Sequence, residues 1–163
     1  MPKKALLFAI AGLLAITSSA SAAPIKSVTG SNGAILSVNK VSNLKSGDQL
    51  TITGTHFDET VGIYVAMCKV VAKTELPTPC GGGIDKTGAS KSSVWISSNA
   101  PSYGTGLARP YGVGGRFTVT IKVSPMIGKL DCRKIACAIY VRADHLRTDD
   151  RTYDLHIPIT FTK

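Results

Sequence analysis

A regular alternation of apolar and polar residues is the feature that most restricts how this chain can fold. Residues 49–53, 117–123 and 155–161 each carry an apolar side chain at every second position. A period of two is typical of a β-strand with one buried face. Pro158 falls in the last of these segments. Because proline has no N–H to donate to a ladder, we expect that strand to lie at a sheet edge or to carry a bulge.

No stretch after residue 22 shows the 3.6-residue period of a helix, and the remaining short apolar runs also read as strands. Seven short strands separated by turn-rich segments predict an all-β fold, a seven-stranded immunoglobulin-like antiparallel sandwich. The four shorter strands are expected at 34–41, 62–68, 92–97 and 136–142.

The chain contains four cysteines, at positions 68, 80, 132 and 137. An even count in an exported chain indicates disulfides, and three pairings are open. We favour Cys68–Cys80 and Cys132–Cys137, because each bond closes one short hairpin-like loop and would contribute about 2 to 3 kcal/mol. Zinc is disfavoured because the chain has no Cys-x-x-Cys motif and no histidine pair at ligand spacing. We therefore expect no metal site and no cofactor.

The amino-terminal residues predict export. Two lysines precede an apolar run over 5–16, and the small residues Ala20-Ser21-Ala22 follow it. This is the pattern of a secretory signal peptide, here residues 1–22, cleaved after Ala22. The apolar run is shorter than the about 20 residues that a membrane-spanning helix needs. We expect one domain over 23–163, secreted and either free outside the cell or associated with its envelope.

The formal net charge of +9, from 19 lysines and arginines against 10 acidic residues, favours acidic partners in general. The basic residues are spread over the loops and are not interleaved with aromatic residues. Direct nucleic-acid binding is therefore not expected.

Nothing in the sequence predicts an enzyme. The chain has no Gly-x-Ser-x-Gly motif, phosphate-binding loop or paired-carboxylate signature. Of the three histidines, His145 lies nearest to several acidic residues and could be a base or a metal ligand. The alternating acids and arginines of 142–154 favour a different interpretation, a solvated loop held by its own ion pairs.

Alternation also indicates which side chains face away from the core. On the strand 136–142, Ile139 and Val141 belong inside, so Tyr140 and Arg142 point outward. On 62–68 the same argument turns Tyr64 outward. These tyrosines would form an aromatic floor beside the long irregular segments 77–92 and 97–115, which are either functional loops or merely flexible ones. The expected ligand-binding residues are Tyr64, Ala66, Trp95, Tyr103, Tyr111, Ala138, Tyr140 and Arg142.

Several motifs resemble the neocarzinostatin family of actinobacterial secreted proteins. They are Leu50-Thr51-Ile52-Thr53-Gly54, Gly115-Arg116-Phe117-Thr118-Val119, Ile157-Pro158-Ile159-Thr160-Phe161 and, most specifically, Asp131-Cys132 leading to Cys137. The resemblance implies a seven-stranded immunoglobulin-like sandwich with both disulfides paired as favoured above. It also implies a cleft between the outer face of one sheet and the hairpins, in which the best-known members hold an enediyne chromophore. The segments 97–114 and 144–154 have no counterpart in those compact carriers.

The sequence thus predicts a secreted, non-enzymatic binding or carrier protein for a small hydrophobic or planar ligand, with a chromophore-type antibiotic as one option. The alternative is a cell-envelope interaction domain that binds anionic surface polymers through its basic surface. High salt should weaken the second kind of binding steeply and the first kind little.

Overall fold

The computed structural model describes residues 25–82 and 87–163, so the expected signal peptide lies outside the described residues. Within the described residues the fold is all-β, with one 3₁₀ turn at Ser102–Gly104. No helix in these two ranges is long and apolar enough to cross a membrane. The strands are β1 Lys26–Thr29, β2 Ile35–Val38, β3 Gln49–Thr55, β4 Ile63–Lys69, β5 Ser93–Ile96, β6 Phe117–Lys122, β7 Met126–Ile127, β8 Leu130–Asp131, β9 Cys137–Ala143 and β10 Leu155–Ile159.

Two antiparallel four-stranded sheets form the sandwich, in the orders β1-β2-β3-β6 and β10-β9-β4-β5, and β7 and β8 form a separate small hairpin. All seven predicted strands are present, as β2 to β6, β9 and β10. The structure adds β1, β7 and β8, which are two to four residues long and therefore too short to display a period of two. Strand β10 lies at a sheet edge, as Pro158 predicted.

The core lies between the two sheets and is built by the alternation read from the sequence. On β6, for example, Phe117, Val119 and Ile121 are buried while the intervening residues are exposed. Full burial of one such aliphatic side chain contributes about 1.5 to 3 kcal/mol. The two sheets meet through side chains of β2, β3, β4, β6, β9 and β10 that include Leu36, Leu50, Ile52, Ile63, Val65, Ile121, Ile139 and Ile157.

Both favoured disulfides, Cys68–Cys80 and Cys132–Cys137, are confirmed. The first ties the segment 69–80 back onto the end of β4. Backbone hydrogen bonds run alongside it, from Lys69 N–H to Pro79 O at 3.1 Å and from Gly81 N–H to Met67 O at 2.7 Å. This arrangement folds the segment over the outer face of its own sheet.

The structure does not place Tyr111 in the expected ligand-binding site. We expected its ring on a loop covering the outer face, but it is buried in the core against Phe117, with 6.4 Å between ring centroids. Its hydroxyl donates to Val61 O at 2.9 Å. Burial raises the pKa of the Tyr111 hydroxyl, because the phenolate would have to form away from water.

Replacing Tyr111 by Phe should lower the free energy of unfolding by about 1 kcal/mol, because the buried Val61 carbonyl would lose its donor. Urea unfolding measures this. Tyr103→Phe provides the control: it also removes one hydrogen bond, to His145 Nε2, but at an exposed site where water can replace the lost partner, so its effect should be much smaller. Equal effects of the two variants would contradict the assignment.

Candidate ligand-binding site

The outer face of the sheet β10-β9-β4-β5 has a covered half. Ala66, Ala138 and Tyr140 face away from the inter-sheet core, as the alternation predicted, but they are at most 5 % exposed. Together with Cys68 they form a second apolar cluster, against which Val70 and Cys80 of the covering segment pack. These three expected site residues therefore line no open cleft. Alternation identifies the side of a sheet on which a residue lies, and it does not reveal which loop covers that side.

Tyr140 fills this covered half. Its ring stacks on His156 of β10, with 4.8 Å between centroids and an interplanar angle of 23°. Burial raises the pKa of Tyr140 and lowers that of His156. Both shifts follow from the removal of water around the pair.

The other half of the face carries Tyr64, Trp95 and Arg142. The register of β4 pairs Tyr64 with Trp95 of β5 on one side and with Arg142 of β9 on the other. The Arg142 guanidinium carbon lies 5.2 Å from the centroid of the Tyr64 ring, a cation–π geometry. Burial lowers the pKa of Arg142. The structure thus brings three of the expected residues together.

Four rings form what we call the aromatic cluster: Tyr64, Trp95, Tyr103 and His145. Trp95 packs edge-on to His145, with 5.0 Å between centroids, and stacks on Tyr103 at 6.5 Å. Tyr64 lies 6.1 Å from Trp95 and 5.9 Å from His145. The cluster therefore joins β4 and β5 to the segments around residues 103 and 145.

His145 is the member of the cluster that the sequence did not predict. Its Nδ1 lies 2.5 Å from the Tyr64 hydroxyl and its Nε2 lies 2.8 Å from the Tyr103 hydroxyl. A neutral imidazole donates from one nitrogen and accepts at the other, so one tyrosine accepts and the other donates. The two partners are 81 and 42 residues away in the sequence. No local pattern could have indicated this arrangement.

Asp144 holds the aromatic cluster in place through two hydrogen bonds. Its carboxylate is buried, accepts the Trp95 indole N–H at 2.9 Å through Oδ2, and accepts the Leu146 backbone N–H at 2.9 Å through Oδ1. Gly62 makes room for it, since a Cβ at that position would lie 1.9 Å from Oδ2. A buried carboxylate with two donors satisfies its hydrogen-bonding needs and holds both groups in one geometry.

The segment 144–154 is held in part by ion pairs, as the sequence suggested. Arg151 donates to Asp154 Oδ2 at 2.8 Å and to Thr148 O at 2.7 Å. Asp154 Oδ1 and Arg151 Nε are buried without a partner. Burial raises the pKa of Asp154 to about 6, although the neighbouring arginines Arg151 and Arg142 act in the opposite direction.

A groove of about 480 Å³ begins at the aromatic cluster and runs between the free edges of β5 and β6. Its size is in the range of about 300 to 1,000 Å³ that is usual for small-molecule sites. Its aromatic wall consists of Tyr64 and Trp95, of which Trp95 is only 9 % exposed, and Val94 and Leu107 add apolar side chains. The remaining lining residues are Gln49, Gly88, Lys91, Ser93, Arg109, Thr118, Thr120 and Lys122.

A second depression, of about 550 Å³, lies between the Cys68–Cys80 loop and the β7–β8 hairpin. Its described lining includes Pro79, Met126 and Leu130 but no aromatic side chain. Among the residues described, no three histidines, cysteines or acids lie close enough to hold a metal ion. The groove at the aromatic cluster is therefore the better-equipped candidate site.

The two packed sheets and the two hairpin disulfides define an immunoglobulin-like sandwich. The model of the neocarzinostatin family matches residues 36–157. The chain belongs to the neocarzinostatin family.

The solved structure of macromomycin shares the fold. Macromomycin is 16 % identical, covers 79 % of this chain and 99 % of its own, and has a TM-score of 0.50. Apokedarcidin is 17 % identical, covers 79 % of this chain and 98 % of its own, and has a TM-score of 0.48. At such identities the likeness to macromomycin concerns the fold alone. No curated protein matches the chain.

Replacing Gly104 by Ala should lift the 3₁₀ turn from the cluster, because a Cβ there would lie 2.6 Å from the Trp95 ring. Trp95 is the only tryptophan, so its emission should shift to longer wavelength as water reaches the indole. Gly112→Ala is a matched control, since its new Cβ would make only ordinary contacts, at 3.6 Å or more. An unchanged spectrum in Gly104→Ala would contradict the packing described.

The raised pKa of Asp154 predicts a pH dependence of stability. Between pH 4 and 6 the folded chain binds this proton more tightly than the unfolded chain, so the contribution to stability falls as pH rises. Relative to Asp154→Asn, the wild type should therefore gain up to about 2 kcal/mol when urea unfolding is measured at pH 4 instead of pH 7.

Asp58 provides a control of opposite sign. Hydrogen bonds from Thr60, its side chain first, lower the pKa of Asp58. The wild type should therefore lose stability relative to Asp58→Asn as pH falls. Parallel pH profiles for the two variants would contradict the assignment for Asp154.

Proposed function

We propose that this protein is a non-enzymatic binding protein that holds a small, planar, largely apolar molecule in the groove beside the aromatic cluster. The observation that carries the proposal is the wall formed by Tyr64 and Trp95 in a groove of about 480 Å³. Stacking between aromatic rings is worth about 0.5 to 1.5 kcal/mol beyond the area that it buries. A planar ligand gains this energy on one face while the groove shields it from water.

The fixed positions of the rings support tight binding. Asp144 engages the Trp95 indole N–H, and His145 engages the Tyr64 hydroxyl. Both aromatic side chains are thus held in place before a ligand arrives. Binding then costs less side-chain entropy, which would otherwise be about 0.5 to 1.5 kcal/mol for each flexible side chain that is immobilised.

The histidine environments favour binding over catalysis. A nucleophilic mechanism needs a nucleophile such as a serine, threonine or cysteine within reach of a base that a third group orients. Thr55 Oγ1 lies 3.1 Å from Nδ1 of His56, but this pair is exposed and no third group among the described residues orients the imidazole. Both nitrogens of His145 bond to tyrosine hydroxyls, and all four cysteines are in disulfides. Within the described ranges no serine bonds to a histidine.

Family membership supports the same proposal. The resemblance implies carriers that hold their ligand against the outer face of one sheet. In this chain the half of that face around Ala138 and Tyr140 is covered, so we infer a ligand position displaced toward β5. We further infer that residues 1–22 are a cleaved signal peptide and that 23–163 is the secreted domain.

A second candidate function is adhesion to anionic polymers of the cell envelope. The net charge of +9 favours it, and such binding would fall steeply with ionic strength. Retention of the protein on cell walls at low salt but not at 0.5 M salt would favour this function. Salt-independent binding of a planar ligand would favour the carrier.

The direct test is native mass spectrometry, with an absorbance spectrum, of the protein purified from the culture medium of its producer. A bound mass that is lost on denaturation would identify the cargo. In parallel, the neutral probe N-phenyl-1-naphthylamine should quench Trp95 emission. Tyr64→Ala should weaken its binding about three- to tenfold through lost stacking.

Tyr153→Ala is the matched control, because Tyr153 lies outside the groove lining and contacts Asp58. Its affinity for the probe should equal that of the wild type. A clean apoprotein mass together with no quenching by the probe would reject the carrier function.

A further inference from the structure

The lining of the groove also includes side chains whose chemistry differs from that of the aromatic wall. Three are cationic, those of Lys91, Arg109 and Lys122, and no aspartate or glutamate appears in the described lining. The hydroxyl-bearing residues Ser93, Thr118 and Thr120 also line the groove. This part of the lining is therefore positive and rich in hydrogen-bond donors.

The three cations come from separate parts of the chain and are positioned by backbone contacts. Lys122 N–H donates to Lys91 O at 2.7 Å, which ties the loop before β5 to the end of β6. Arg109 pairs with the free edge of β5, donating to Trp95 O at 2.9 Å and accepting from Ser97 N–H at 2.8 Å. These bonds close the two ends of the gap between the sheets.

None of the three cations has an acidic partner within the described part of the chain. The ion pairs there are Lys40–Asp48, Arg133–Asp131, Arg147–Asp150 and Arg151–Asp154. All four lie outside the groove. The positive charges along the groove are therefore available to a ligand.

The edge of β6 supplies further donors. Thr51 N–H donates to Asn39 Oδ1 and Thr51 O accepts from Asn39 N–H, so both backbone groups of Thr51 point away from β6. Its cross-strand partner Thr120 therefore directs its own N–H away from β3. Thr118 and Lys122 lie two residues to either side of Thr120, so their N–H groups point in the same direction. The N–H of Lys122 accordingly donates to Lys91 O. Among the described residues, the N–H groups of Thr118 and Thr120 have no acceptor. Both residues line the groove.

We propose that the end of the groove at Lys91 and Lys122 is a subsite for an oxyanion, so that the ligand is a planar aromatic acid carrying a carboxylate, sulfonate or phosphate group. The inference rests on the proposed function and adds the charge of the ligand. The rings of the ligand lie against Tyr64 and Trp95, and its anionic group lies at Lys91 and Lys122. Unpaired N–H groups and cations together form the kind of donor set that binds oxyanions.

Two fluorescent probes with the same ring system test the proposal. 8-Anilinonaphthalene-1-sulfonate carries a sulfonate that N-phenyl-1-naphthylamine lacks. Both are titrated into the full chain at 0.15 M salt, with Trp95 quenching as the readout. The sulfonate should bind about tenfold more tightly than the neutral probe, since one charge-assisted hydrogen bond is worth about that factor.

Charge-removing variants locate the effect. Lys122→Gln and Lys91→Gln should each weaken sulfonate binding about three- to tenfold and should weaken binding of the neutral probe by a smaller factor. Lys26→Gln is the matched control, because it removes one exposed positive charge on β1, outside the groove lining. It should alter neither affinity.

The outcomes separate this inference from the proposed function. Equal affinities for the two probes, or equal losses in Lys122→Gln and Lys26→Gln, would overturn the oxyanion subsite and leave the planar-ligand function in place. Quenching by neither probe would overturn the proposed function and the subsite with it.

Discussion

The register between β4 and β9 is the constraint on which the outer face of this protein depends. Seven residue pairs join these two central strands, from Ile63 with Ala143 to Lys69 with Cys137. A slip of one residue would turn every side chain of a strand to the opposite face. The observed register buries Val65 and Val141 between the sheets. It also sets Tyr64 beside Arg142 and Ala66 beside Tyr140 on the outside.

The Cys68–Cys80 disulfide then divides that outer face in two. It begins at the end of β4 and holds the segment 69–80 over Ala66, Ala138 and Tyr140. The other half stays open beside β5. The covering segment and the Tyr140 ring leave the open space on the side of β5 and β6.

A buried carboxylate links the segments 97–114 and 144–154. Asp144 stands at the start of 144–154 and bonds to Trp95, on which the turn at Ser102–Gly104 packs. His145 adds hydrogen bonds to Tyr64 and Tyr103. Both segments are therefore anchored to the sheet through one cluster of rings. A substitution that loosens one of these segments should therefore also weaken the packing of the other.

The sequence predicted the seven main strands, the outward face of Tyr64, Tyr140 and Arg142, and, among three possible pairings, the disulfide pairing that the structure has. It could do so because a period of two and a short cysteine spacing are local properties of the chain. Tyr64 and Arg142 were correctly assigned to the outer face for that reason. The family motifs supplied the topology that joins these elements.

Which of those outward residues reach solvent, and which loop residues join the site, depends on tertiary packing. Tyr111 and Tyr103 both lie in an irregular segment without periodicity, yet one is buried in the core and the other is 62 % exposed. His145 enters the aromatic cluster through partners 42 and 81 residues away. Contacts of that range depend on how loops fold back over the sheets. That path is set by the packing of the whole domain and leaves no pattern in the neighbouring residues.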